Sequence, residues 1–222
     1  MTRALVLSGG IFHDFGGTSG FLRELLCRLD VQTEVTEDLE GGLARLEDFD
    51  LLVVNALRWR MAGEKYDPYR ERWAYSPSEA ARDAVVRHLQ RGRGLLAMHT
   101  AVICFDDWPE WGDLLGAQWR WGQSGHPPLA RVAVRVRTGA HPLVEGIGDF
   151  EVEDEVYGFL DRRHGLEPLM TSKHGAEAHP LLWVRESLGA PVVVDALGHS
   201  VDSLAVPEHR TVIERAMRWV LE

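Results

Sequence analysis

Three short stretches of this chain are apolar at every position: Ala4-Leu5-Val6-Leu7, Leu51-Leu52-Val53-Val54 and Leu95-Leu96-Ala97-Met98. Runs of that length suit β-strands, and a strand without alternation has to be covered on both faces. Between them lie apolar positions at helical spacing. Phe21, Leu22, Leu25, Leu26 and Leu29 form one stripe; Ala81, Val85, Val86 and Leu89 form another. The second follows Ser76-Pro77-Ser78-Glu79. There Ser76 is the expected cap, Pro77 suits the first turn and Glu79 follows the cap by three residues. A strand over 31–36 and a short helix over 41–46 complete a β-α-β-α-β-α-β alternation. That pattern predicts an α/β fold with a doubly wound, mainly parallel sheet sandwiched by helices. Residues 57–75, rich in Trp, Tyr and Arg, read as an irregular excursion over the sheet's end.

The second half is richer in strands, expected over 131–137, 150–152, 166–170, 181–185 and 192–195, before a helix over 208–221. No linker or low-complexity segment interrupts the pattern, so residues 1–222 are expected to form one domain.

The formal net charge of −10 argues against a nucleic-acid surface, which needs clustered Lys and Arg. Arg131, Arg135 and Arg137 alternate with apolar residues, as on a strand with one solvated face. No run reaches membrane-spanning length, and the N-terminal apolar run is too short for a signal peptide. Only two cysteines are present, Cys27 and Cys104. A reducing, cytoplasmic setting is the expectation. No G-x-G-x-x-G motif is present, so no nucleotide cofactor is expected.

The histidines are more informative. His13 follows the first apolar run, His99 directly follows Met98, and His199 follows Val192-Val193-Val194-Asp195-Ala196-Leu197-Gly198. Each lies past the carboxyl end of an expected strand, where doubly wound folds place their sites. Three imidazoles and a carboxylate make a site for zinc, manganese or iron. In Glu151-Val152-Glu153-Asp154-Glu155 the adjacent pair Asp154-Glu155 breaks the alternation, so one of the two must face the protein. The expected ligands are His13, His99, His199 and Glu155, with His99, Asp154, Glu155 and His126 as catalytic candidates. His126 follows a Trp- and Gly-rich loop over 116–128. His88, His164, His174 and His209 read as surface residues; His141 and His179, each before a proline, read as turn formers. Trp108, Trp111, Trp119 and Trp121 suit packing, or a sugar-binding platform.

Several segments together resemble the ThuA-like (trehalose-utilisation) proteins: "LVLSGGIFHDF", "GLLAMHTA", "GAQWRWGQSGHPP", "AHPLVEGIGDFEVEDEVYGF" and "HPLLWVRESLGAPVVVDALGH". The resemblance spans residues 5 to 199 and implies a flavodoxin-type, class I glutamine amidotransferase-like fold. Those amidotransferases carry a cysteine nucleophile at the strand-to-helix elbow; ThuA-like proteins carry histidine, as His99 does here. The stretch "HTAVICF" departs from the family, which often has serine after that histidine.

The resemblance implies an enzyme of carbohydrate metabolism acting on a small-molecule sugar or keto-sugar derivative, as a hydrolase, lyase or isomerase. A divalent metal would polarise a carbonyl or activate water. A non-catalytic sugar- or partner-binding module is the alternative, and homo-oligomerisation stays open. Because Cys104 lies five residues beyond the elbow, Cys-dependent glutamine hydrolysis is not expected. A Cys27→Ala/Cys104→Ala double variant should keep most of the activity in a turnover assay; a loss of orders of magnitude in a folded variant would identify a thiol nucleophile.

Overall fold

The computed structural model describes residues 1–222. Its elements in chain order are β1 (Arg3–Gly9), α1 (Phe15–Cys27), β2 (Gln32–Thr36), α2 (Leu39–Ala44), β3 (Leu51–Ala56), α3 (Asp67–Trp73), α4 (Glu79–Gln90), β4 (Gly94–Met98), α5 (Pro109–Leu115), β5 (Ala117–Gln118), β6 (Ala130–Val136), β7 (Phe150–Asp154), β8 (Asp161–Arg162), β9 (Pro168–His174), β10 (Glu177–Ser187), β11 (Ala190–Asp195), α6 (Val201–Ala205) and α7 (Pro207–Trp219). No helix is long and apolar enough to cross a membrane.

Nine strands form one sheet in the order β2-β1-β3-β4-β11-β10-β9-β6-β7. The first five are parallel, and the remaining four join antiparallel. The sheet is therefore mixed, with a parallel half built from the continuous apolar runs. Direction reverses at the β10–β11 hairpin, where Leu188 and Gly189 both have positive φ, 55° and 86°, as a two-residue turn with matching strand twist requires. Side chains alternate across the parallel half. Leu5, Leu7, Leu52, Val54, Leu95 and Ala97 enter one apolar cluster; Ala4, Val6, Leu51, Val53, Leu96 and Met98 enter another on the opposite face.

The carboxyl ends of β1, β4 and β11 share one edge, and the connections beyond them are held closely. Gly10 has φ 151°, and a Cβ there would lie 2.7 Å from the Leu57 carbonyl. The excursion after β3 is ordered around the buried Arg58, which donates from Nε to the Trp73 carbonyl (2.9 Å) and from Nη1 to the Glu37 carbonyl (3.0 Å). It contains a 3-10 turn over Glu64–Tyr66 and the helix α3, where an irregular path was expected.

Other expectations also need correction. The cap of α4 is Ser78, whose Oγ accepts from Ala81 N at 3.1 Å; Ser76 lies outside and Glu79 is the first helical residue. His88 and His209 are buried, each because it occupies the apolar stripe of its helix. His88 Nε2 bonds the Gly94 carbonyl at 3.1 Å, and burial pushes its pKa down to about 4. His179 lies inside β10 and is buried, so it forms no turn. His141 accepts from Leu143 N and caps a short turn, as its position before proline suggested.

His209 offers both ring nitrogens as donors, to the Ser203 carbonyl and to Asp195 Oδ2, each at 2.9 Å. Burial opposes its charge, but the Asp195 carboxylate and the Ser203 carbonyl outweigh it and raise the pKa. This buried pair ties α7 to the end of β11. His209→Ala should cost about 3–5 kcal/mol in urea unfolding, because Asp195 is left buried and unpaired. With the folded pKa raised, the pair's contribution is complete below about pH 6.5 and fades as pH rises through the folded value. A His209→Gln variant should lack that fade; an identical pH profile would refute the charged pair.

Candidate metal centre

His99 directly follows β4 in a left-handed conformation, φ 42°. Its Nδ1 lies 2.9 Å from the carbonyl of Ala196, just past the neighbouring strand β11. That bond places the proton on Nδ1 and leaves a lone pair on Nε2. His13, after β1, is held alike, with Nδ1 3.2 Å from the Ile11 carbonyl. The two Nε2 atoms face each other at 3.2 Å. Two lone pairs at that distance repel unless a proton or a cation lies between them.

Two further groups complete the cluster. Glu155 Oε2 lies 3.8 Å from His13 Nε2, 3.6 Å from His99 Nε2 and 3.4 Å from His199 Nδ1. His199 Nδ1 is buried and has no hydrogen-bond partner. Taking one ligating atom from each of His13, His99, Glu155 and His199, all lie within 4.8 Å of one another. Ligand bonds of about 2.0–2.2 Å imply edges of about 3.3 Å in a tetrahedron, and four of the six pairs lie 3.2–3.8 Å apart. The three imidazoles, one with an orphaned nitrogen, and the carboxylate fit a transition-metal ion.

Charge in the cluster is coupled. Burial pushes Glu155 upward, yet the His13 and His99 imidazoles beside it hold it far below the usual carboxylate range. Burial also lowers His99, but Glu155, Asp154 and the Ala196 carbonyl together raise it. Burial lowers His199 despite Glu155 beside it.

Asp154 and Glu155 both face inward, so the broken alternation at β7 marks two buried carboxylates. Asp154 does not take the general acid/base position expected for it. Oδ1 accepts from Glu155 N (2.7 Å), and Oδ2 accepts from Gly198 N (2.7 Å), His199 N and the Ser203 hydroxyl. It is 1% exposed and fastens the loop that presents His199. Gly198 holds φ 121°, which side chains rarely adopt, and an added Cβ there would lie 3.2 Å from Leu204 Cδ2. His126 is not one of the four convergent groups but borders them, 39% exposed at its side chain, with Nδ1 3.4 Å from Glu155 Oε1.

His13, Glu155 and His199 form the floor of a cavity of about 420 Å³, which His126 and Tyr157 also line; His99, 1% exposed, does not reach it. Leu57, Trp59 and Tyr66 come from the excursion, Trp119 and Trp121 from the loop before His126. Trp59 and Trp121 lie 5.8 Å apart, and Trp119 lies 5.4 Å from Tyr157, so aromatic rings run from rim to floor. Tyr157 and Trp59 were missed as site residues; the aromatic at the end of the acidic run was the available signal for Tyr157. Cys104 is buried below the wall. Its thiol donates to the Ala56 carbonyl at 3.0 Å, and burial pushes its pKa to about 12, leaving no thiolate.

Residues 3–220 match the family described as ThuA: Trehalose utilisation. The chain belongs to this family. Solved structures with the same fold include a ThuA-like protein of Parabacteroides merdae ATCC 43184, 17% identical at TM-score 0.78, covering 99% of this chain and 90% of that one. Another is a ThuA-like protein of Bacteroides uniformis ATCC 8492, 16% identical at TM-score 0.73, covering 99% and 91%. A third is a cytoplasmic protein of Salmonella typhimurium LT2, 11% identical at TM-score 0.68, covering 100% of each chain. No curated protein matches the sequence. The family points to a carbohydrate-related role.

Asp154→Ala should unfasten the His199 loop. Four donors lose their acceptor, so stability should fall by about 3 kcal/mol or more, and hydrogen exchange at Gly198 and His199 should quicken at least about tenfold. Unchanged exchange at those amides would show that Asp154 does not hold the loop.

Proposed function

We propose that this ThuA-family protein is a metal-dependent enzyme acting on a sugar or keto-sugar derivative. The observation that carries the reading is the convergence of four ligating atoms, one of them an orphaned His199 nitrogen, at the floor of an aromatic-lined cavity. His13, His99, His199 and Glu155 would hold zinc, manganese or iron. The ion would polarise a substrate carbonyl or activate water. His126, partly exposed beside Glu155, is the group suited to general acid/base work. The aromatic wall suits the apolar face of a sugar ring, whose hydroxyls would meet the polar floor.

The order β2-β1-β3-β4-β11 in the parallel half supports a flavodoxin-type, amidotransferase-like assignment, with the site at the carboxyl edge. Histidine stands at the elbow, so glutamine hydrolysis by a thiolate is no part of the reading. Residues 1–222 act as one ThuA-like domain in this proposal, in the cytoplasm and without a nucleotide.

The test is metal analysis joined to turnover of trehalose and its keto derivative. Wild-type protein should carry about one transition-metal ion per chain and lose activity on chelation. His99→Ala should lose ion and activity together while remaining folded by circular dichroism. Metal-independent turnover would refute the role of the ion. Sugar binding with no turnover would leave the binding-module alternative.

A further inference from the structure

We propose that Tyr157 is a catalytic residue whose hydroxyl donates a hydrogen bond to the substrate oxygen held on the cavity side of the metal. The inference rests on the metal-centre reading and deepens it. Tyr157 is 1% exposed, and its ring is stacked on His99, with centroids 4.6 Å apart and planes at 23°. Its hydroxyl has one protein acceptor, His99 Nε2, at 2.9 Å. Because His99 Nδ1 carries the proton given to Ala196, Nε2 has a single lone pair. An ion bound by the cluster takes that lone pair, so metal loading leaves the Tyr157 hydroxyl without its acceptor.

A buried hydroxyl without a partner costs about 1–3 kcal/mol. The ring is fixed by packing, but the O–H bond turns freely about it. With a metal–nitrogen bond of about 2.1 Å, the ion lies no more than about 5 Å from the Tyr157 oxygen. An oxygen ligand on the side of the ion that faces Tyr157 falls within hydrogen-bonding reach. Tyr157 lines the cavity together with His13, Glu155 and His199, so it borders the same space as three of the four ligands. Manganese and iron accept more than four ligands, and zinc expands to five, which leaves room for that oxygen.

The oxygen has to bind the ion with one lone pair and accept from Tyr157 with another. A carbonyl does both, and both interactions strengthen as it gains negative charge. The substrate class is therefore a sugar derivative bearing a ketone or aldehyde, with that carbonyl oxygen on the ion. Tyr157 keeps its proton throughout and acts as a donor.

The experiment compares Co²⁺-loaded wild type with Co²⁺-loaded Tyr157→Phe. Visible absorption follows the binding of acetohydroxamate, an oxygen ligand, and of imidazole, a nitrogen ligand that offers Tyr157 no acceptor. Both proteins should bind one Co²⁺. Acetohydroxamate should bind about 10- to 100-fold more weakly to the variant, in keeping with loss of a charge-assisted hydrogen bond. Imidazole affinity should change by less than about twofold. Equal hydroxamate affinities, or equal losses for both ligands, would overturn the role of Tyr157 while leaving the metal centre intact. Wild type that binds no Co²⁺ would overturn the metal-centre reading and this inference with it. Should the variant not fold, a structure of the wild-type Co²⁺–acetohydroxamate complex decides. A hydroxamate oxygen within about 3 Å of the Tyr157 oxygen supports the proposal, and a gap beyond about 3.5 Å overturns it.

Discussion

Two imidazole nitrogens face each other at 3.2 Å, each in a ring whose other nitrogen is committed to a backbone carbonyl. The carbonyls of Ile11 and Ala196 set the tautomers, and the tautomers turn both lone pairs toward one point. This arrangement needs positive charge at its centre. The rest of the site serves that need. Glu155 supplies countercharge, His199 adds an uncommitted nitrogen, and Asp154 spends its carboxylate on the loop that carries His199.

Support reaches well below the cavity. The Asp195–His209 pair anchors α7 beneath the end of β11, the strand before the His199 loop. Ser203 links the two layers, giving its hydroxyl to Asp154 and its carbonyl to His209. A buried polar network of this kind is stable only when every member is satisfied. Here one buried nitrogen in contact with it, His199 Nδ1, is left over, and it faces the cluster.

The parallel half was legible in the sequence because β1, β3 and β4 are buried on both faces and are written as unbroken apolar runs. Their carboxyl ends located His13 and His99, and the apolar run before Gly198 located His199. Strand order was not legible, since it depends on pairing between distant segments, and the reversal after β10 rests on a Leu188-Gly189 turn without a strong hairpin signature. His88 and His209 looked solvated because their neighbours are charged, yet each stands three to four residues from buried stripe positions, Val85 and Val212 among them. Asp154 was misassigned for a related reason: a carboxylate satisfied by backbone donors 44 and 45 residues away has the same local sequence as a reactive one. Tyr157 became visible as a site residue only when its ring was found stacked on His99.

Anomalous diffraction from crystals of the protein grown with zinc, recorded above and below the zinc edge, tests the metal centre most directly. A metal centre predicts one strong peak about 2.0–2.2 Å from His13 Nε2, His99 Nε2, His199 Nδ1 and a Glu155 oxygen. No peak there, with the two Nε2 atoms still about 3.2 Å apart, would mean that a shared proton holds the histidines together, and would contradict it.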